Sequence, residues 1–309
     1  MGSKKPGKSQ KDSISAHAFR IRFLRRSREI YNRYLETKPW IKQMHTSFLG
    51  LKPGMRIVDV GCGTGDFTRY LASLILAKST IIGVDTRAAS LRAAERETKN
   101  AKLDGSISYR KGDAYNIPIE NGWADLACCR TVLMHLTDPL KAVREMARVT
   151  KKGGTVAAVE RGTINSVYIP DDEKFTKIAM KLADAYVEGV KKLEHKYFNI
   201  GERLPTIFRK AGLTGIMAEI QTDAYLASDP RRRLEDVRDE LDFALAFFKE
   251  TKEVDSRAML AGGASRKSVN RYNRWFENYV GALLRDDVKL RNDTTFGAGG
   301  LYLVAGRKQ

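Results

Sequence analysis

The stretch VDVGCGTG, residues 58–65, sets glycine at positions 61, 63 and 65, directly after an apolar run that contains Asp59. Glycine weakens ordinary helices and strands by roughly 0.5–1 kcal/mol relative to alanine, so three at alternate positions need a local reason. Two reasons are available: a tight strand-to-helix turn, or a backbone that approaches a ligand more closely than a Cβ would allow.

Working outward, the flanking segments alternate between the two secondary-structure periods. RIVDVG (56–61) reads as a strand and DFTRYLASLILA (66–77) as a helix. STIIGVD (79–85) is a second strand, TRAASLRAAERETKNAK (86–102) a second helix and ISYRKGD (107–113) a third strand. WADLACCR (123–130) is a fourth strand, followed by the helix DPLKAVREMARVT (138–150) with Asp138 as its N-cap and Pro139 at its first position. KKGG stops that helix, and TVAAVE (155–160) is a fifth strand. Strands and helices in this rhythm predict an α/β fold with a doubly wound sheet. Beyond it lie helices over 171–198 and 201–213, a sixth strand at 215–226, a mostly helical stretch at 229–293 and a closing strand at 300–308. That makes seven strands.

Composition narrows the classes. Of 309 residues, 42% are hydrophobic and 30% charged, which suits a packed globular core. No apolar run approaches the roughly 20 residues of a membrane span, and the lysine-rich start lacks the apolar centre of a secretory signal. The three cysteines, Cys62, Cys128 and Cys129, show no metal-ligand spacing, which predicts a reducing, cytoplasmic setting without zinc or disulfides. The net charge is +18; residues 1–28 alone carry nine Lys/Arg against one Asp. Such a block favours an anionic partner, or serves as a solvated tail.

Carboxylates end successive strands. Asp85 closes the second, where it would accept hydrogen bonds from a ribose diol; Asp113 closes the third, where it would accept from the exocyclic amine of adenine with Ala114 bracketing the ring. Ligands of open α/β sheets sit beyond the carboxyl ends of the strands. A dinucleotide turn would read G-x-G-x-x-G, but its third glycine position is Asp66 here.

The ordered set VDVGCGTG, GVD, GDAYNIP, WADLACCRTVLMHLTDP and EMARVTKKGG resembles class I S-adenosylmethionine-dependent methyltransferases, in particular the subgroup acting in quinone biosynthesis and on natural products. The resemblance is strong over about 50–160 and weak beyond. It implies a Rossmann-like sheet with an N-terminal helical extension and helical cap insertions: a basic disordered tail (1–14), a helical lid (15–50), a cofactor-binding core (51–164), a helical insertion with strand six (165–228), a helical cap (229–293) and a closing strand (294–309). It also implies S-adenosyl-L-methionine as cofactor. Gly61, Gly63 and Gly65 would close around its methionine part, with Asp59 near the ammonium and Arg130 lining the same portion. Asp85 and Thr86 would serve the ribose, and Asp113 and Ala114 the adenine.

For an acceptor that must lose a proton, the candidate bases are His135, after strand four, and Glu160, ending strand five. Tyr168 and Tyr186 are further candidates to line the pocket. The expected acceptor is a small molecule. The alternative is an RNA or protein substrate held by the basic N-terminus and by SRKSVNRYNRWF (265–276), where basic and aromatic residues interleave. A nicotinamide oxidoreductase, or a cofactor-binding protein without catalysis, is the third reading.

Overall fold

The computed structural model describes residues 38–75, 79–103, 107–170 and 172–309. The expected tail at 1–14 and residues 15–37 of the expected lid lie outside the described residues. The first described helix, α1 (Pro39–Phe48), begins with proline at its first turn.

Among the described residues, seven strands form one sheet in the order β3-β2-β1-β4-β5-β7-β6. They are β1 (Arg56–Val60), β2 (Thr80–Asp85), β3 (Ile107–Lys111), β4 (Ala124–Arg130), β5 (Thr150–Tyr168), β6 (Thr214–Leu226) and β7 (Phe296–Arg307). β1 to β5 run parallel, and β7 lies antiparallel between β5 and β6. The crossover helices are α2 (Asp66–Leu74), α3 (Ala88–Asn100), α4 (Pro139–Val149), α5 (Glu173–Glu194) and the short α6 (Leu204–Lys210). The Asp138 side chain caps α4 by accepting from Lys141 N at 3.0 Å, as the sequence suggests.

Burial on both faces explains why the central strands read as continuous apolar runs. Alternate residues supply two cores. Ile57, Ile81, Leu126, Ala157 and Leu303 pack with Phe67 and Leu71 of α2 on one face. Val58, Ile82, Ala127, Val156 and Val304 pack with Val143 and Met146 of α4 and Phe208 of α6 on the other.

Strand β5 departs from the sequence reading. It does not start after KKGG or stop at Glu160 but spans 19 residues, with Gly153 at φ +71. Its pairing with β7 continues past an irregularity between Arg161 and Asn165 to Tyr168 opposite Phe296. The expected insertion at 165 therefore opens with strand, and α5 starts only at Glu173.

Helices α7 (Leu234–Ala261), α8 (Arg266–Arg285) and the short α9 (Asp287–Arg291) build the cap. Val237, Leu241, Val280, Leu283 and Leu290 form its own small core. α5 and α7 meet backbone to backbone. A Cβ at Gly189 would collide with the carbonyl of Ala258, and one at Gly262 with that of Ala185. Small residues at both crossings are thus a packing requirement. Gly189→Ala is expected to destabilise the fold by about 1–3 kcal/mol, the usual cost of overpacking; urea unfolding against a Gly281→Ala control, a helical glycine whose added Cβ meets only the flexible Arg285 guanidinium, measures the part due to the collision.

Candidate functional site

The glycine turn is held by the end of β2. Gly61 N and Cys62 N both donate to Val84 O, at 2.7 and 3.0 Å. Gly63 N donates to Asp85 Oδ2 at 2.9 Å, and Arg87 N to Asp85 Oδ1 at 2.9 Å. The three glycines take φ of +72, +54 and +75, the left-handed region that other residues enter at a cost. At Gly61 there is a second reason: an added Cβ would stand 2.5 Å from Val132 Cγ2. At Gly63 the same Cβ would meet nothing within 4 Å, because that backbone borders open space.

That space is a cavity of about 1880 Å³. Single small-ligand pockets run to roughly 300–1,000 Å³, so it has room for two ligands side by side. Of the sequence-predicted residues, Asp59, Gly61, Gly63, Asp85, Thr86, Asp113, Ala114, Arg130 and His135 all line it. Gly65 does not; it sits at the N-cap of α2, its N–H donating to Cys62 O at 2.9 Å.

Asp59 lies at the cavity floor, 1% exposed, accepting from Thr68 Oγ1 at 2.6 Å. Burial pushes its carboxyl up to about 7, against the opposing pull of the Thr68 hydroxyl and the Arg130 guanidinium. Arg130 stands over the Phe67 ring at 5.8 Å. Asp113 Oδ1 accepts from Tyr115 N at 2.9 Å; its other oxygen carries no hydrogen bond among the described residues.

His135 ends a one-turn 3₁₀ helix (Leu133–His135) after β4. Its ring meets Phe198 edge-on at 5.9 Å between centroids. Burial, with Lys196, Arg87 and Arg161 nearby, holds its pKa below the ordinary imidazole value.

Glu160 is not where the sequence reading puts it. It is fully buried and absent from the cavity wall; Oε1 accepts from Val132 N at 2.8 Å and Leu133 N at 2.7 Å. Burial raises its carboxyl to about 7. Tyr168 is half exposed and also off the cavity. Tyr186 does line it, stacked on Phe198 at 6.1 Å.

The far wall comes from elements whose sequence carries no motif. Arg161 projects from β5, Gln221 from β6, Asp255 and Met259 from α7, and Tyr272 and Asn273 from α8. Only tertiary packing brings them together. In the basic–aromatic stretch 265–276 the aromatic residues are half-buried, Trp275 stacking on Tyr279 at 4.9 Å, while Arg266, Lys267, Arg271 and Arg274 are exposed; Arg271 lies over Phe175 at 4.7 Å and pairs with Asp172 at 2.9 Å.

Removing the charge of Asp59 has a definite pH signature. A carboxyl with a raised folded pKa contributes stability that is present below its unfolded value and lost as pH rises to the folded value. Between pH 4 and 7 wild type is therefore expected to lose stability relative to Asp59→Asn, by about 4 kcal/mol at most at 1.36 kcal/mol per pKa unit; denaturant titrations across that range measure the difference, and parallel curves would refute it.

Residues 58–158 match the family model described as a methyltransferase domain. Over 124 residues the chain is 30% identical to a ubiquinone/menaquinone biosynthesis C-methyltransferase of Idiomarina loihiensis, covering 38% of this chain and 49% of that one. It thus spans about half the length of that relative. A demethylmenaquinone methyltransferase of Staphylococcus saprophyticus is 28% identical over 201 residues, 62% of this chain and 83% of that one. Among solved structures, the YcgJ protein from Bacillus subtilis aligns with a TM-score of 0.49 at 15% identity, over 87% of this chain and 98% of that one.

Proposed function

We propose that this chain, a class I S-adenosylmethionine-dependent methyltransferase, methylates a small-molecule acceptor held between its sheet and its cap. The carrying observation is the single cavity, lined at one end by Asp59, Asp85 and Asp113 and at the other by Tyr186, Asp255 and Tyr272. The cofactor, when bound, supplies a methyl group activated by its sulfonium.

The residues present suit that cofactor. The left-handed backbone around Gly63 leaves open space that a side chain would fill. Asp85 keeps lone pairs beyond the two amides it accepts from, and they suit a ribose diol. The second oxygen of Asp113 suits an exocyclic amine. Asp59 would supply negative charge for an ammonium, which would draw its buried carboxyl to the ionised form, and the cofactor brings no phosphate to be repelled.

The protein's part is to align donor and acceptor, which for well-oriented pairs is worth roughly 7–11 kcal/mol. The cap wall would hold the acceptor, and His135, uncharged at neutral pH, would take its proton. The names of the curated relatives make carbon the first acceptor atom to test. An RNA or protein acceptor is less favoured, because the aromatic residues of 265–276 that would stack on it pack instead on Phe175, Phe248 and Tyr279, although the basic residues between them are exposed.

Asp85→Ala and Asp113→Ala are each expected to weaken S-adenosylhomocysteine binding about 10- to 100-fold, the equivalent of a charged hydrogen bond. Calorimetry checks this, and unaltered affinity in both folded variants would overturn the cofactor assignment. His135→Ala is expected to lower kcat about 10²–10⁴-fold with cofactor affinity unchanged. In wild type the acid limb of the rate profile would fall below the ordinary imidazole range, because the base must lose activity only where His135 becomes protonated.

A further inference from the structure

Strand β4 leaves the sheet at Arg130, and of the next five residues Thr131, Val132 and His135 line the cavity. Thr131 sits at φ +52, a conformation unusual for a β-branched residue, with its N–H donating to Val159 O at 2.8 Å. Val132 follows, its methyls filling the place a Cβ at Gly61 would need. Val132 is therefore the contact between the β4 loop and the glycine turn. Leu133 and Met134 are buried beneath, and His135 emerges into the cavity.

Thr131 and His135 donate to backbone carbonyls, but the N–H groups of Val132 and Leu133 find a side chain instead. The N–H groups of Val132 and Leu133 both converge on one atom, Oε1 of Glu160, and the Cys129 thiol lies 3.9 Å from the same oxygen. The other oxygen, Oε2, is buried with no hydrogen-bond partner among the described residues. The carboxyl is thus held out of water with one oxygen engaged, an arrangement that costs stability at the unpaired oxygen. Its raised pKa reflects that cost.

We infer that Glu160 is a positioning residue: its buried Oε1 ties the start of the Leu133–His135 turn to β5 and so fixes Arg130, Val132 and His135 against the cavity. It touches neither ligand directly. The inference rests on the proposed methyltransferase site for its functional meaning, but the tie itself belongs to the ligand-free protein.

Three variants test it. Glu160→Gln keeps an acceptor oxygen on a side chain of the same shape. Glu160→Leu removes the acceptor at similar volume. Phe208→Leu, on α6 in the core and away from the cavity, controls for lost stability alone. Amide hydrogen exchange at residues 132–134 without ligand is expected to lose protection in Glu160→Leu and to keep it in Glu160→Gln and Phe208→Leu. S-adenosylhomocysteine affinity, measured by calorimetry on folded protein, is expected to fall about tenfold or more in Glu160→Leu and less than about threefold in the other two, as for loss of a buried hydrogen-bond acceptor.

Wild-type exchange and affinity in Glu160→Leu would overturn the inference. So would equal losses in Glu160→Gln, which would make the charge and not the acceptor responsible, or equal losses in Phe208→Leu, which would make the effect one of general stability. If Glu160→Leu does not fold, Glu160→Asp replaces it: the carboxylate withdrawn by one methylene is expected to show the same two losses. Failure of wild type to bind S-adenosylhomocysteine would strike the proposed function and leave the exchange result to decide the tie.

Discussion

One carbonyl oxygen organises the cleft. Val84 O, at the end of β2, accepts from both Gly61 and Cys62, and one residue later Asp85 accepts from Gly63. These three bonds pin the glycine turn across the mouth of the neighbouring strand. From the turn follows the start of α2, whose Thr68 reaches back to Asp59 and whose Phe67 lies under Arg130. The sheet supplies the parallel strand ends, but this local pinning turns them into a site.

The cleft also concentrates negative charge in a strongly basic chain. Asp59, Asp66, Asp85 and Asp113 border the glycine side of the cavity, while the whole protein carries a net charge of +18. Burying carboxylates is unfavourable, and the raised pKa of Asp59 records it. Arg130 offsets part of that cost from one side. A ligand carrying an ammonium and a sulfonium would offset more. Glu160 is a different case: it lies outside the cavity wall, and the loop is what it serves.

The legible parts of this protein were those set by short-range rules. Positive φ at Gly61, Gly63 and Gly65 follows from residue type in a strand-to-helix turn, and the acids Asp85, ending β2, and Asp113, two residues past the end of β3, follow from period and position. Glu160 was placed by the same rule of strand ends but without the rule of strand faces. Along β5, Val156 and Ala158 pack on the α4 face, whereas Ala157 and Val159 pack on the α2 face. Residue 160 shares the parity of the first pair, so it points toward Leu133 and Met134. Asp59 and Arg130 share the parity of Ile57 and Leu126 and point the other way, toward α2 and its Thr68. Alternation within a known strand was enough to separate them. The extension of β5 to Tyr168 was not legible, because its irregular stretch after Arg161 interrupts the pattern and only pairing with β7 sustains it.

The cap side of the cavity follows from longer-range packing. α5 and α7 approach so closely at Gly189–Ala258 and Gly262–Ala185 that no side chain separates them. A crossing of that kind leaves little freedom to slide, since each backbone abuts the other. Asp184 and Tyr186 on α5 and Asp255 and Met259 on α7, all cavity residues, therefore stand on elements fixed relative to each other. α8 adds Tyr272 and Asn273 through an aromatic seam with Phe175 and Trp275. The cap side of the cavity is thus a three-helix wall built by long-range packing, whereas the glycine turn is built by bonds to the end of one neighbouring strand.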